Sequence, residues 1–118
     1  MSLSIVASGI HQPLEDPVAE ELTERLRRGG VVRRSPESGE VIERSPMAEL
    51  AERLHAASEA SEAYVPTEPE QGVLFAVLDF WLQDVKVSRF PESAMDLRYA
   101  LFADMDDRRR QRDTGFVL

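Results

Sequence analysis

The chain reads as an α-rich α+β fold: four helices, with one β-hairpin inserted between the first and second helix. Three observations predict it. Apolar residues recur at helical spacing in four separate segments, two β-branched pairs flank turn chemistry within "VVRRSPESGEVIERSP", and cap-and-proline pairs stand where helices should begin. At 118 residues one core suffices. The expectation is therefore a single compact domain, 1–118, whose segments 1–12 and 113–118 are its flexible ends.

The first helix is expected to start at Asp16-Pro17, with the Asp oxygen capping an orphan N–H and Pro occupying a position that needs no donor. Val18, Leu22 and Leu26 then make one apolar stripe. Gly29-Gly30 should end it, with Arg27 and Arg28 in the last turn, where the helix dipole favours cations. Val31-Val32 and Val41-Ile42 predict strands near 31–35 and 40–44, joined by a turn within Pro36 to Glu40. Antiparallel pairing should bring Arg33 or Arg34 near Glu40 or Glu43, and such opposite charges stabilise a ladder.

The two near-copies VVRRSP and VIERSP then do different work. Ser35-Pro36 opens the turn, whereas Ser45-Pro46 caps a second helix whose face carries Met47, Leu50, Ala51, Leu54, Ser58 and Ser61. "YVPTEPE" breaks that helix, and Thr67 with Glu70 has the spacing of a capping box for a third. That third helix, over Gly72 to Val85, is apolar on nearly all sides and should form the buried centre, with Leu74, Val77, Leu78, Trp81 and Val85 withdrawn from water. "KVSRFPES" breaks the chain again, as a loop or a short strand. Ser93 with Asp96 suggests the cap of a final helix bearing Ala94, Leu97, Leu101 and Met105, flanked by Met95 and Phe102.

Composition excludes several classes of function. With no cysteine there is no disulfide scaffold, thiol nucleophile or thiolate metal site, in keeping with a reducing cytoplasm. The opening "MSLSIVASGIHQP" lacks the basic start and long apolar stretch of an export signal, and the longest apolar run, Val73 to Leu82, is too short to span a bilayer. Arginine outnumbers lysine thirteen to one, which points to a high-GC bacterial or phage gene. Net charge is -8, distributed as -5 over 1–24, +3 over 25–44, -9 over 45–107 and +3 over 108–118. An acidic body thus bears two basic islands.

No phosphate loop, nucleophile elbow or H-E-x-x-H is present, and there are two histidines in all. Glu52 and His55 have the E-x-x-H spacing that places a carboxylate and an imidazole on one helix face. Carboxylate-bridged metal bundles need a second such motif, which is missing. Arg27, Arg28, Arg33, Arg34 and Arg108, Arg109, Arg110 are the candidates for phosphate clamps, but the overall acidity and the lack of interleaved aromatics weigh against nucleic acid. Arg33-Arg34-Ser35-Pro36 also resembles a basic-directed kinase site, a match common by chance.

These residues favour a non-catalytic protein–protein interaction module, a regulator, inhibitor or assembly component that self-associates as a homodimer. Phe75 and Phe80 lie off the central stripe and need cover, either from a second copy or from the hairpin with Ile5, Val6 and Ile10. The alternative reading is a nucleic-acid-associated regulator using the hairpin and the C-terminal arginines; the third is a carboxylate/His enzyme or metal-binding protein. No cofactor and no membrane association are expected.

Overall fold

A computed structural model of the chain describes residues 2–115, with side chains through 112. Strands β1 (Leu3–Ala7) and β2 (Ile10–Leu14) form an antiparallel hairpin turned by Ser8 and Gly9, both at positive φ, as tight two-residue turns require. Helix α1 (Asp16–Gly29) follows, then strands β3 (Val32–Arg34) and β4 (Val41–Arg44), then α2 (Pro46–Glu59). A two-residue strand β5 (Ala63–Tyr64) leads into α3 (Glu68–Val85), a 3-10 turn over Val87–Arg89, and α4 (Glu92–Gly115). The expected fold class is observed, with the β3–β4 hairpin between α1 and α2.

A second hairpin was not expected. β1 is the middle strand of a three-stranded sheet in the order β2-β1-β5, with β5 parallel to it through Ser4↔Ala63 and Ile5↔Tyr64. Its alternate residues Leu3, Ile5 and Ala7 are buried, so the chain's first strand is part of the core. Of the C-terminal end expected to be flexible, helix α4 reaches Gly115 and residues 116–118 lie outside the described residues.

The core gathers one stripe from each helix onto that sheet: Val18, Leu22 and Leu26; Leu50, Ala51 and Leu54; Leu74, Val77, Leu78 and Trp81; Ala94, Leu97 and Leu101. Trp81 packs edge-on against Phe90 with ring centroids 5.3 Å apart. Val85, expected inside, is half-buried, because it sits in the last turn of α3 where the chain leaves the core. At the α1–α2 junction Gly30 is required by contact. A Cβ there would stand 2.8 to 2.9 Å from Ala48, including its backbone.

The caps divide. Ser45 accepts from the Ala48 N–H, and the full Thr67/Glu70 capping box is present. Asp16 is not the cap of α1. Glu15 holds that position without a side-chain bond, and Asp16 lies in the first turn, where its charge still meets the positive helix end. Ser93 is likewise inside α4 rather than before it, with the Pro91 carbonyl accepting from Met95 N–H. Val85 to Phe90 contains no strand. Lys86 turns the chain at a φ of 70° and the 3-10 turn carries it to α4.

Candidate interaction surface

The β3–β4 hairpin projects Val32 and Ile42 into water, with Val31 exposed at its base and Val41 half-buried. Its ladder pairs Val32↔Arg44, Arg33↔Glu43 and Arg34↔Val41, and the shift between Arg33 and Arg34 leaves Ile42 with no residue opposite it. Arg33 meets Glu43 at 3.2 Å, the expected cross-strand pair. Arg34 donates to the Gly39 carbonyl at 3.0 Å and so closes the turn. The base is fastened at Ser45, whose Oγ accepts from Val31 N–H at 2.9 Å and whose own N–H donates to the Val31 carbonyl at 2.8 Å. None of Val31, Val32, Val41 or Ile42 belongs to the core, and Ile42 is 58 % exposed.

Beside that base lies a hollow of about 370 Å³, lined by Arg25, Arg28, Gly29, Met47, Val77 and Phe80. Phe80 stands at its edge 69 % exposed, while Met47 fits so closely on Gly29 that a Cβ there would strike its sulfur. Phe75, the other candidate, is covered within the chain. It packs on Phe102 at 6.0 Å, under the Arg98 guanidinium at 5.0 Å. Of the two phenylalanines, the structure thus leaves Phe80 open, next to Arg28.

The arginines are mostly occupied. Arg27 pairs with Glu52 at 3.2 Å and Arg28 with Glu21 at 3.4 Å. Arg25 sits over Trp81, held by Glu21 at 2.7 Å and Asp84 at 2.8 Å. That contact holds the Asp84 carboxyl below its ordinary value. Arg108 and Arg112 both reach Glu68, at 3.1 and 2.6 Å, which ties the end of α4 to the start of α3, and Arg109 and Arg110 reach Asp106. Glu68 and Phe80 are twelve residues apart on one helix, roughly 18 Å. The two basic islands therefore sit towards opposite ends of α3 and do not merge.

Glu52 and His55 do not form a ligand pair. Glu52 is taken by Arg27, and His55 leans towards Glu59 at 3.8 Å. His55 and Ser58 do line a groove of about 460 Å³ against Glu20, Glu24 and Thr23 of α1, but among the described residues no group of three or more His, Cys, Asp or Glu is disposed to hold a metal ion. Neither is any helix among them long and apolar enough to cross a membrane.

Sequence reasoning did not identify Met47 and Val77 as walls of the hollow: it placed Met47 on the apolar face of α2 and Val77 among the residues withdrawn from water, where Val77 indeed lies. Helical period places them on an inward stripe, and only the meeting of three helices opens one side of that stripe. Compared with known proteins, the chain matches no protein-family model, no curated protein and no solved structure.

Proposed function

We infer that this chain is a non-catalytic interaction module that binds a protein partner through the hollow at Phe80 and the adjoining β3–β4 hairpin. One observation carries the reading: large apolar side chains that a small domain would ordinarily bury, Phe80, Val31 and Ile42, stay in water where α1, α2, α3 and the hairpin meet. An aromatic anchor beside an apolar hollow with a polar rim is the usual anatomy of a protein-binding surface. The nucleic-acid reading has weaker support, since the arginines proposed as phosphate clamps lie at two separate places and all but Arg34 are paired with carboxylates.

Affinity capture from the source cells, run in parallel with wild type and Phe80→Glu, tests it. A protein retained by the wild type and lost with Phe80→Glu is the expected result. Retention unchanged by Phe80→Glu, or a salt-dependent mobility shift with duplex DNA that Arg33→Ala and Arg34→Ala abolish, would overturn it.

A further inference from the structure

The β3–β4 hairpin is a two-stranded sheet whose apolar side chains miss the core. Such a sheet is marginal in water until further strands or a helix are added. We propose that a second copy of the chain supplies those strands, the two β4 edges pairing antiparallel about a two-fold axis centred on Ile42. This rests on the interaction reading above and names one partner for it.

The register follows from the residues along β4. Centred on Ile42, an antiparallel pair sets Ile42 against its own copy, Val41 against Glu43, and Glu40 against Arg44 twice over. Ile42 is the residue left without a cross-strand neighbour by the bulge, so the second copy provides the neighbour its own hairpin lacks. Glu40 and Arg44 have no ion-pair partner among the described residues and would gain one each. Val32, 43 % exposed and opposite Arg44, extends the same apolar strip across β3 in both copies.

Other pairings are poorer. Centring β4 on Glu43 opposes two carboxylates, and centring between Ile42 and Glu43 loses both the Ile42–Ile42 contact and the two Glu40–Arg44 pairs. β3 carries no acidic residue, so two β3 edges would bring four arginines into one ladder. A β3-to-β4 contact would be heterologous and leave an edge open at each end, whereas β4-to-β4 closes. The product is a four-stranded antiparallel sheet, β3-β4-β4-β3.

The absence of cysteine makes the test direct. Ile42→Cys should cross-link to a disulfide dimer under mild oxidation, and Ser38→Cys at the turn tip should not. In sedimentation equilibrium Arg44→Glu should raise the dimer Kd about tenfold, since two attractive cross-strand pairs become repulsive, and adding Glu40→Arg should restore it. These variants lie outside the core, so folding is not at stake. A single species at 13.3 kDa at millimolar chain concentration would overturn the proposal. A dimer indifferent to Arg44→Glu, with Ile42→Cys failing to cross-link, would do so equally. If partner capture still depends on Phe80 in either case, the pairing falls and the interaction reading stands.

Discussion

Glu70 serves three neighbours with one carboxylate. Its Oε1 accepts from the Thr67 N–H at 2.8 Å, its Oε2 accepts from the Tyr64 hydroxyl at 2.6 Å and Arg53 at 3.2 Å, and its own N–H donates to Thr67 Oγ1 at 3.3 Å. Burial works to raise the Glu70 carboxyl, but these donors outweigh it and hold the group below its ordinary value. Burial first, then the carboxylate, push the Tyr64 phenol up. Glu70→Gln keeps the shape and removes the charge, so it should cost about 1 to 2 kcal/mol in urea unfolding at neutral pH. The sign with pH is set by the lowered group. Its contribution is complete above the unfolded-state value and is lost as pH falls through the folded one, so wild type and Glu70→Gln should converge in acid. Urea midpoints for both across the acid range check this. At Gly39 the backbone alone decides: φ is 74°, and nothing stands within 4 Å of an added Cβ. Gly39→Val should destabilise the hairpin by about 1 to 2 kcal/mol. Native-state hydrogen exchange should show this as a faster Ser35 amide, which now donates to the Glu40 carbonyl, with the Leu78 amide unchanged.

At the scale of elements, α3 is the helix on which the others are laid. Leu74 and Leu78 are wholly buried, and Trp81 lies between Phe90 and Arg25. Leu78→Ala removes a side chain with no route for water or neighbours to fill the space and should cost about 2 to 5 kcal/mol, read from denaturant unfolding with Trp81 emission as the signal. A loss below half a kilocalorie would mean that the α3 core stripe closes over the gap. The two hairpins contrast with each other. β1–β2 packs Leu3, Ile5, Ala7 and Leu14 into the core, whereas β3–β4 packs nothing there. β1 carries no charged residue, whereas β3 and β4 carry Arg33, Arg34, Glu43 and Arg44 among their seven, so the contrast is partly written in the strands and partly set by what each lands upon.

Across the whole molecule, Asp104 joins three parts of the chain that are far apart in sequence. Its Oδ2 accepts from the Ser8 N–H at 2.7 Å and from Gln71 Nε2 at 3.0 Å, and Ser8 Oγ donates to the Ala100 carbonyl at 3.0 Å. The β1–β2 turn is thereby fastened to α4 and α4 to α3. Gln71 is only 6 % exposed and its Oε1 already lacks a partner. Asp104→Ala would strip the Gln71 side chain of its hydrogen bond, and the expected loss is about 1 to 3 kcal/mol in thermal or urea unfolding. Phe80→Glu, by contrast, should leave stability within about half a kilocalorie, because the site is already in water. A larger loss would place Phe80 in the core and remove it as an anchor.

Local chemistry was legible in the residues themselves. Ser45-Pro46, the Thr67/Glu70 box, the turn at Gly39, the Arg33–Glu43 pair and the stripe of Leu74, Leu78 and Trp81 follow from periods and spacings a few residues long, and neighbours in sequence supply the partners. The β1–β2 hairpin also has a signal in the residues, the alternation of Leu3, Ile5 and Ala7 before Ser8-Gly9. The helix starts lie one residue before Asp16 and two before Ser93, because backbone bonds alone begin them, the Glu15 carbonyl accepting from Ala19 N–H and the Pro91 carbonyl from Met95 N–H. What only the tertiary structure decided is non-local. The Ser8–Asp104 bond, the two-residue strand at Ala63–Tyr64, the cover over Phe75 but not Phe80, and the exposure of Ile42 each depend on which surface a segment meets after the chain has crossed itself. A side chain's hydrophobicity says that it gains by leaving water, and the packing of distant elements determines whether there is anywhere for it to go.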